Sequence, residues 1–203
     1  MGLISLLTEG AQNLCNFIES NPNTKTMSKL VSPLNIKAWI EENRVLLKPP
    51  VGNKCVWNDG EFIVMVVGGP NNRKDYHYNE SEELFYQIEG DITVKVQEDG
   101  VSRDIIIKEG EIFLLPANIP HSPIRGANTV GLVIEKVRSG TELIDGLMWY
   151  CDDCNHLLHE YKFPLQNIER DFLSRFKAFY SSMDKRTCEK CSKVMEVDSR
   201  FVD

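Results

Sequence analysis

Apolar residues along this chain form short runs broken by turns in its middle and recur every three or four positions near its end. Asn35 is suited to cap a helix, and Ile36, Trp39 and Ile40 then fall on one helical face. Pro49 and Pro50 mark the end of that segment. Runs rich in β-formers follow: Phe62 to Val67, Glu83 to Ile88, Ile92 to Val96, Ile105 to Ile107, Ile112 to Leu115 and Val130 to Val137. Between them stand turn residues, among them Gly68 to Pro70, Gly90-Asp91, Asp99-Gly100, Glu109-Gly110 and Gly126 to Asn128. Short, evenly punctuated strands predict a sandwich or barrel. Beyond Thr141 the pattern changes, and Ile168, Phe172, Phe176 and Phe179 recur at helical spacing. The first residues are weakly patterned and end in a polar stretch, Asn21 to Thr26, so 1–26 reads as a mobile extension, with Met27 a candidate alternative start. The expected organisation is an extension over 1–26, a barrel with its N-terminal helix over 27–140, and a helical tail over 141–203.

Composition narrows the partners. A chain of 203 residues with 42% hydrophobic and 26% charged positions builds one main core, and no apolar run reaches membrane-spanning length. A formal net charge of -7 disfavours non-specific binding of nucleic acid or anionic lipid, leaving a small molecule as the expected partner. No basic segment precedes the apolar patch Leu3 to Leu7, so a secretory signal is not expected. Four of the six cysteines fall in two CxxC pairs, Cys151 with Cys154 and Cys188 with Cys191. In a reducing cytoplasm, the expected location, such pairs bind metal more often than they form disulfides. Four thiolates suit a closed tetrahedral Fe or Zn site with a structural role. Cys15 and Cys55 lack that spacing and read as free thiols.

The candidate chemistry lies in Gly69 to Gly90 and Gly110 to Arg125. An even number of steps separates His77 from Glu83, so in an extended chain both point to one side of the strand, and His121 completes a set from another strand. Two imidazoles and one carboxylate leave open positions on a six-coordinate metal, as Fe(II) needs if substrate and dioxygen are both to bind. The same donors suit Zn, Mn or Ni. Taken singly, each histidine could be a hydrogen-bonded structural residue and Glu83, beside Glu82, a solvated edge charge. Three matched positions with flanking glycines favour the metal reading.

Gly69, His77, Glu83 and Gly90, then Gly110, Pro116, Asn118 and His121, resemble the two cupin motifs, with Asn79 standing where a further histidine often lies. More specifically, Arg73 to His77, Glu83 to Gln87, Pro116 to Arg125, Leu132 to Glu135, Leu47 to Pro50, Val67 to Asn71 and both cysteine pairs resemble the 3-hydroxyanthranilate 3,4-dioxygenase family. The resemblance runs from about Leu34 to the C-terminus. It implies a mainly β, cupin-type double-stranded β-helix (jelly-roll) barrel with a short N-terminal helix and a helical, metal-binding tail. It implies Fe(II) on His77, Glu83 and His121, and a rubredoxin-like Fe (or Zn) on the four cysteines. It implies extradiol-type opening of 3-hydroxyanthranilate by O2 to 2-amino-3-carboxymuconate semialdehyde, the precursor of quinolinate in NAD biosynthesis. Substrate contacts are expected from Arg73, Glu83, Arg125 and Glu135: Arg125 anchors the carboxylate, Arg73 places dioxygen or the carboxylate, and Glu135 accepts a proton from the phenolic hydroxyl or amine. A homodimer is expected. A non-oxidative cupin isomerase and a small-molecule sensor are the alternatives, because fold does not fix function.

Overall fold

The computed structural model describes residues 30, 32–49 and 52–202. The extension expected over 1–26, and Cys15 within it, lie outside the described residues. Helix α1 spans Ile36–Asn43, and the Asn35 side chain accepts a hydrogen bond from the backbone N–H of Ala38 at 3.1 Å. A 3-10 turn, Arg44–Leu47, continues it and buries Leu47.

Eleven strands build two antiparallel sheets among the described residues. One has the order β1 (Asn53–Trp57), β2 (Phe62–Gly68), β9 (Val130–Lys136), β4 (Glu83–Glu89), β7 (Ile112–Leu115). The other runs β11 (Leu157–Pro164), β10 (Ile144–Tyr150), β3 (Asp75–Asn79), β8 (His121–Arg125), β5 (Ile92–Glu98), β6 (Val101–Ile107). Consecutive strands repeatedly cross between the sheets, which is the jelly-roll arrangement, so the mainly β architecture stands as expected. One core cluster draws on both sheets: Phe85, Leu115 and Val133 meet Ile92, Val94, Val96 and Ile107, with Met65, Val67 and Phe113 packed against them. Each such side chain withdrawn from water contributes about 1.5–3 kcal/mol. Cys55 on β1, read from sequence as a free thiol, is disulfide-bonded.

Two expectations need correction. The boundary at 140 does not divide barrel from tail, because β10 and β11 extend the six-stranded sheet through the pairing of β10 with β3. Only then come helices α2 (Ile168–Tyr180) and α3 (Met183–Arg186). Asn167 caps α2, its side chain accepting from the N–H of Arg170 at 2.9 Å. Leu147 and Trp149 of β10 pack with Phe163 and Leu165 against Phe179 and Tyr180 of α2, so the tail is welded to the barrel. The shared-strand argument for His77 and Glu83 also fails: His77 lies on β3 and Glu83 on β4, in different sheets. The intervening turn ends the strand, and side-chain parity does not carry through a turn. They meet because both face inward.

Candidate metal centre and cavity

A cavity of about 310 Å³ opens between the sheets and holds the sequence-selected residues Arg73, His77, Glu83, Arg125 and Glu135 on its walls. Register explains the convergence. His77 stands opposite His121 across β3 and β8, and Glu83 opposite Glu135 across β4 and β9, and directly paired residues share a face. His77, Glu83 and His121 are all buried, and each offers a ligand atom within 4.8 Å of the others'.

The donor set fits a cation. His121 Nδ1 lies 3.0 Å from the Ile119 carbonyl, which fixes the proton on Nδ1 and leaves the Nε2 lone pair facing Glu83 Oε2 at 2.7 Å. That buried oxygen accepts no hydrogen bond from the described residues. Two electron-pair donors at that separation require a positive charge between them, either a proton or a metal ion. Burial works against the Glu83 charge, yet with the proton in that place the charged His121 ring, together with His77, holds its carboxyl down at about 2. Asn79 is buried on β3, opposite Asp145 of β10.

The charged groups around this centre divide into committed and uncommitted. Arg73 is committed to Asp75, its Nε lying 3.3 Å from Oδ1 and its Nη2 on Oδ2. Glu135 accepts from Arg138 Nη1 at 2.9 Å, and burial raises its pKa above the usual carboxylate range despite that partner. Arg138 also donates to Asp145 through Nε at 2.8 Å and Nη2 at 2.9 Å, and Asp145 Oδ1 lies 2.8 Å from His77 Nε2. Burial raises the Asp145 pKa, but His77 and Arg138 outweigh it and the net direction is down. Arg125 differs. It is 3% exposed, and among the described residues its guanidinium meets no carboxylate within ion-pair distance and donates only to the Gln87 amide oxygen, at 3.3 Å. Burial without a partner lowers its pKa to about 10, so the guanidinium stays charged at neutral pH and lacks an anion.

Helix α2 and the C-terminal segment wall the remaining side. Phe172 packs edge-on to His77 with ring centroids 5.3 Å apart, and Phe176 and Tyr180 stack on Phe201 at 4.7 Å and 5.5 Å. Arg200 donates to the Asn72 carbonyl at 2.5 Å, tying that segment to the loop before β3.

The four cysteines converge separately. Sγ of Cys151 is 3.5 Å from that of Cys191, and Cys154 is 3.6 Å from Cys188. All four offer sulfurs within 4.8 Å of one another. The two turns match: Asn155 N–H returns to Cys151 O and Ser192 N–H to Cys188 O, with both Asn155 and Ser192 at positive φ. Burial raises the Cys188 thiol, but the N–H groups of Cys191 and Lys190 and neighbouring thiols bring it down to about 7. Such a set fits a soft cation with no open position.

Sequence reasoning missed Asp145, Arg138, Asp75 and Gln87. Asp145 carried a signal: an acid at the same parity as Leu147 and Trp149 in an otherwise apolar run. Arg138 carried none, since it lies just beyond β9 and only the fold turns it inward.

Known proteins resemble this chain over most of its length. The family profile described as 3-hydroxyanthranilic acid dioxygenase matches residues 27–180. A 3-hydroxyanthranilate 3,4-dioxygenase of Xanthomonas oryzae pv. oryzae is 57% identical over 172 residues, 85% of this chain and 97% of its own. One from Bacillus thuringiensis is 47% identical over 170 residues, 83% of this chain and 94% of its own. Among solved structures, a cupin-2 domain protein from Shewanella frigidimarina overlaps 48% of this chain and 92% of its own, with a TM-score of 0.41 and 14% identity.

Proposed function

We infer, from the premise that this chain belongs to the 3-hydroxyanthranilic acid dioxygenase family, that it opens the ring of 3-hydroxyanthranilate with O2. The ring bond between the hydroxyl-bearing carbon and its unsubstituted neighbour breaks. Both oxygen atoms are retained, giving 2-amino-3-carboxymuconate semialdehyde, the precursor of quinolinate.

One observation carries this reading: a buried guanidinium without a counter-anion among the described residues, Arg125, borders the same cavity as His77 and Glu83, which with His121 form a donor set that needs a cation. His77, Glu83 and His121 would hold Fe(II). Ferrous iron held there supplies a route for electrons from an aminophenol ring to dioxygen. Arg125 receives the substrate carboxylate in a charge-assisted fork and so sets the ring's orientation. Glu135, whose proton affinity burial has raised, accepts the proton of the phenolic hydroxyl. Arg73, held by Asp75, borders the same space and restrains the substrate or dioxygen rather than supplying an unpaired charge. Phe172, Phe176 and Phe201 exclude water from the reacting groups.

The four-cysteine site would hold a second Fe or a Zn in a structural role. A homodimer is supported by exposed Tyr86, Ile112 and Leu114 on the outer face of β4 and β7.

The test is to load the full chain with Fe(II) without oxygen, add 3-hydroxyanthranilate, and then admit labelled O2. Ring-opened product carrying both labelled atoms is the expected result. Turnover before oxygen enters would indicate an isomerase, and binding without turnover a sensor.

A further inference from the structure

Asp145 is fully buried on β10, opposite Asn79 and diagonal to His77. It is not one of the three converging ligands. Three contacts reach its carboxylate: Arg138 Nε on Oδ2 at 2.8 Å, Arg138 Nη2 on Oδ1 at 2.9 Å, and His77 Nε2 on Oδ1 at 2.8 Å. A guanidinium has only donors, so both Asp145 oxygens are acceptors here. The His77 nitrogen facing Oδ1 therefore carries the hydrogen. This leaves the lone pair on Nδ1.

We propose that Asp145, itself gripped by Arg138, is a positioning residue that locks the His77 ring as its Nε2–H tautomer and so presents Nδ1 to the metal. The inference rests on His77 being a metal ligand. An imidazole free to rotate presents the wrong nitrogen part of the time, and a carboxylate behind it also raises its basicity. His121 is locked the other way, Nδ1 on the Ile119 carbonyl and Nε2 inward. The two rings thus bind through different nitrogens. Arg138 adds a second link, because its remaining Nη1 holds Glu135 at 2.9 Å. One guanidinium therefore sets the ring of a ligand and the carboxylate assigned to proton transfer.

Two measurements on the full chain test this. In the metal-free protein, long-range ¹⁵N spectra of the histidine rings should show His77 protonated at Nε2 and His121 at Nδ1. A proton on Nδ1 of His77 overturns the proposal, whatever any variant does. In cobalt(II) titrations, barrel-bound metal being told from thiolate-bound metal by the latter's charge-transfer band, Asp145→Asn should bind about 10–100-fold more weakly than wild type. An amide cannot accept on both atoms, so it must turn a donor toward Arg138 or His77. Equal affinities overturn the proposal. His77→Ala separates the two layers of the argument. If it leaves cobalt affinity unchanged, the ligand assignment beneath the proposal falls with it. If it weakens binding while Asp145→Asn does not, only the positioning role falls.

Discussion

A Cβ on Gly131 would lie 3.0 Å from Nη1 of Arg125 and 2.5 Å from Oε1 of Gln87. The bare backbone of β9 at that point is the space in which the buried guanidinium rests. Gly131→Ala should push both side chains aside without unfolding the barrel, because the two nearest atoms are side-chain ends and the Tyr86 carbonyl, at 3.3 Å, need give by only a few tenths of an ångström. KM for 3-hydroxyanthranilate should rise about tenfold, as for a displaced charged hydrogen bond, with kcat and barrel metal content little changed. Steady-state kinetics with metal analysis checks it.

Arg125→Met should separate stability from binding. Its charge is buried without an ionic partner among the described residues, so the free protein carries a desolvation cost that an apolar side chain of similar length removes. Thermal melting of the variant should therefore match or exceed wild type. Substrate affinity should fall by roughly 10–150-fold, the equivalent of a charge-assisted hydrogen bond of about 1.5–3 kcal/mol.

Removing each metal site should leave the other intact. Glu83→Gln keeps the shape but loses the charge, and even outer partners of a metal site are worth about 10–100-fold in affinity, so activity should fall at least a hundred-fold. Metal on the cysteines should remain. Conversely, Cys154→Ser should lose the thiolate-bound metal and lower the melting temperature while barrel metal stays. Metal stoichiometry on purified variants decides between independent and coupled sites.

Phe179 is fully buried and stacks on Trp149 with ring centroids 4.1 Å apart, fastening α2 to β10. Phe179→Ala should cost about 3–5 kcal/mol from lost burial and the cavity left behind. In a chain of this length that lowers Tm by roughly 6–20 °C. KM should rise as well, since α2 also carries Phe172 and Phe176 over the cavity.

The C-terminal segment should loosen in acid. The Arg200 guanidinium hydrogen-bonded to Asp198 holds that carboxyl below the usual range. A carboxyl depressed in the folded state stabilises above its unfolded pKa, about 3.9, and that contribution is lost as pH falls through the folded value. Protection of the Phe201 amide, bonded to the Asp198 carbonyl at 3.0 Å, should drop below about pH 4 in wild type. Asp198→Asn should show weaker protection at neutral pH and no further loss in acid.

Read by itself, the sequence determined what depends on neighbours along the chain. The cap at Asn35, the apolar strands β2, β4, β5, β7 and β9, the helix α2 and the two cysteine turns all follow from local periodicity and residue type. Strands β3 and β8 escaped it because their site residues make them polar, and β10 and β11 because an apolar run reads equally as strand or helix. Tertiary structure alone decided that His77 and Glu83 meet from opposite sheets, that Arg73 is taken by Asp75 while Arg125 is left without a carboxylate among the described residues, and that Arg138 and Asp145 stand behind His77. Those relationships depend on strand register and on the closure of one sheet over the other. Such long-range pairing leaves no periodic trace in the chain.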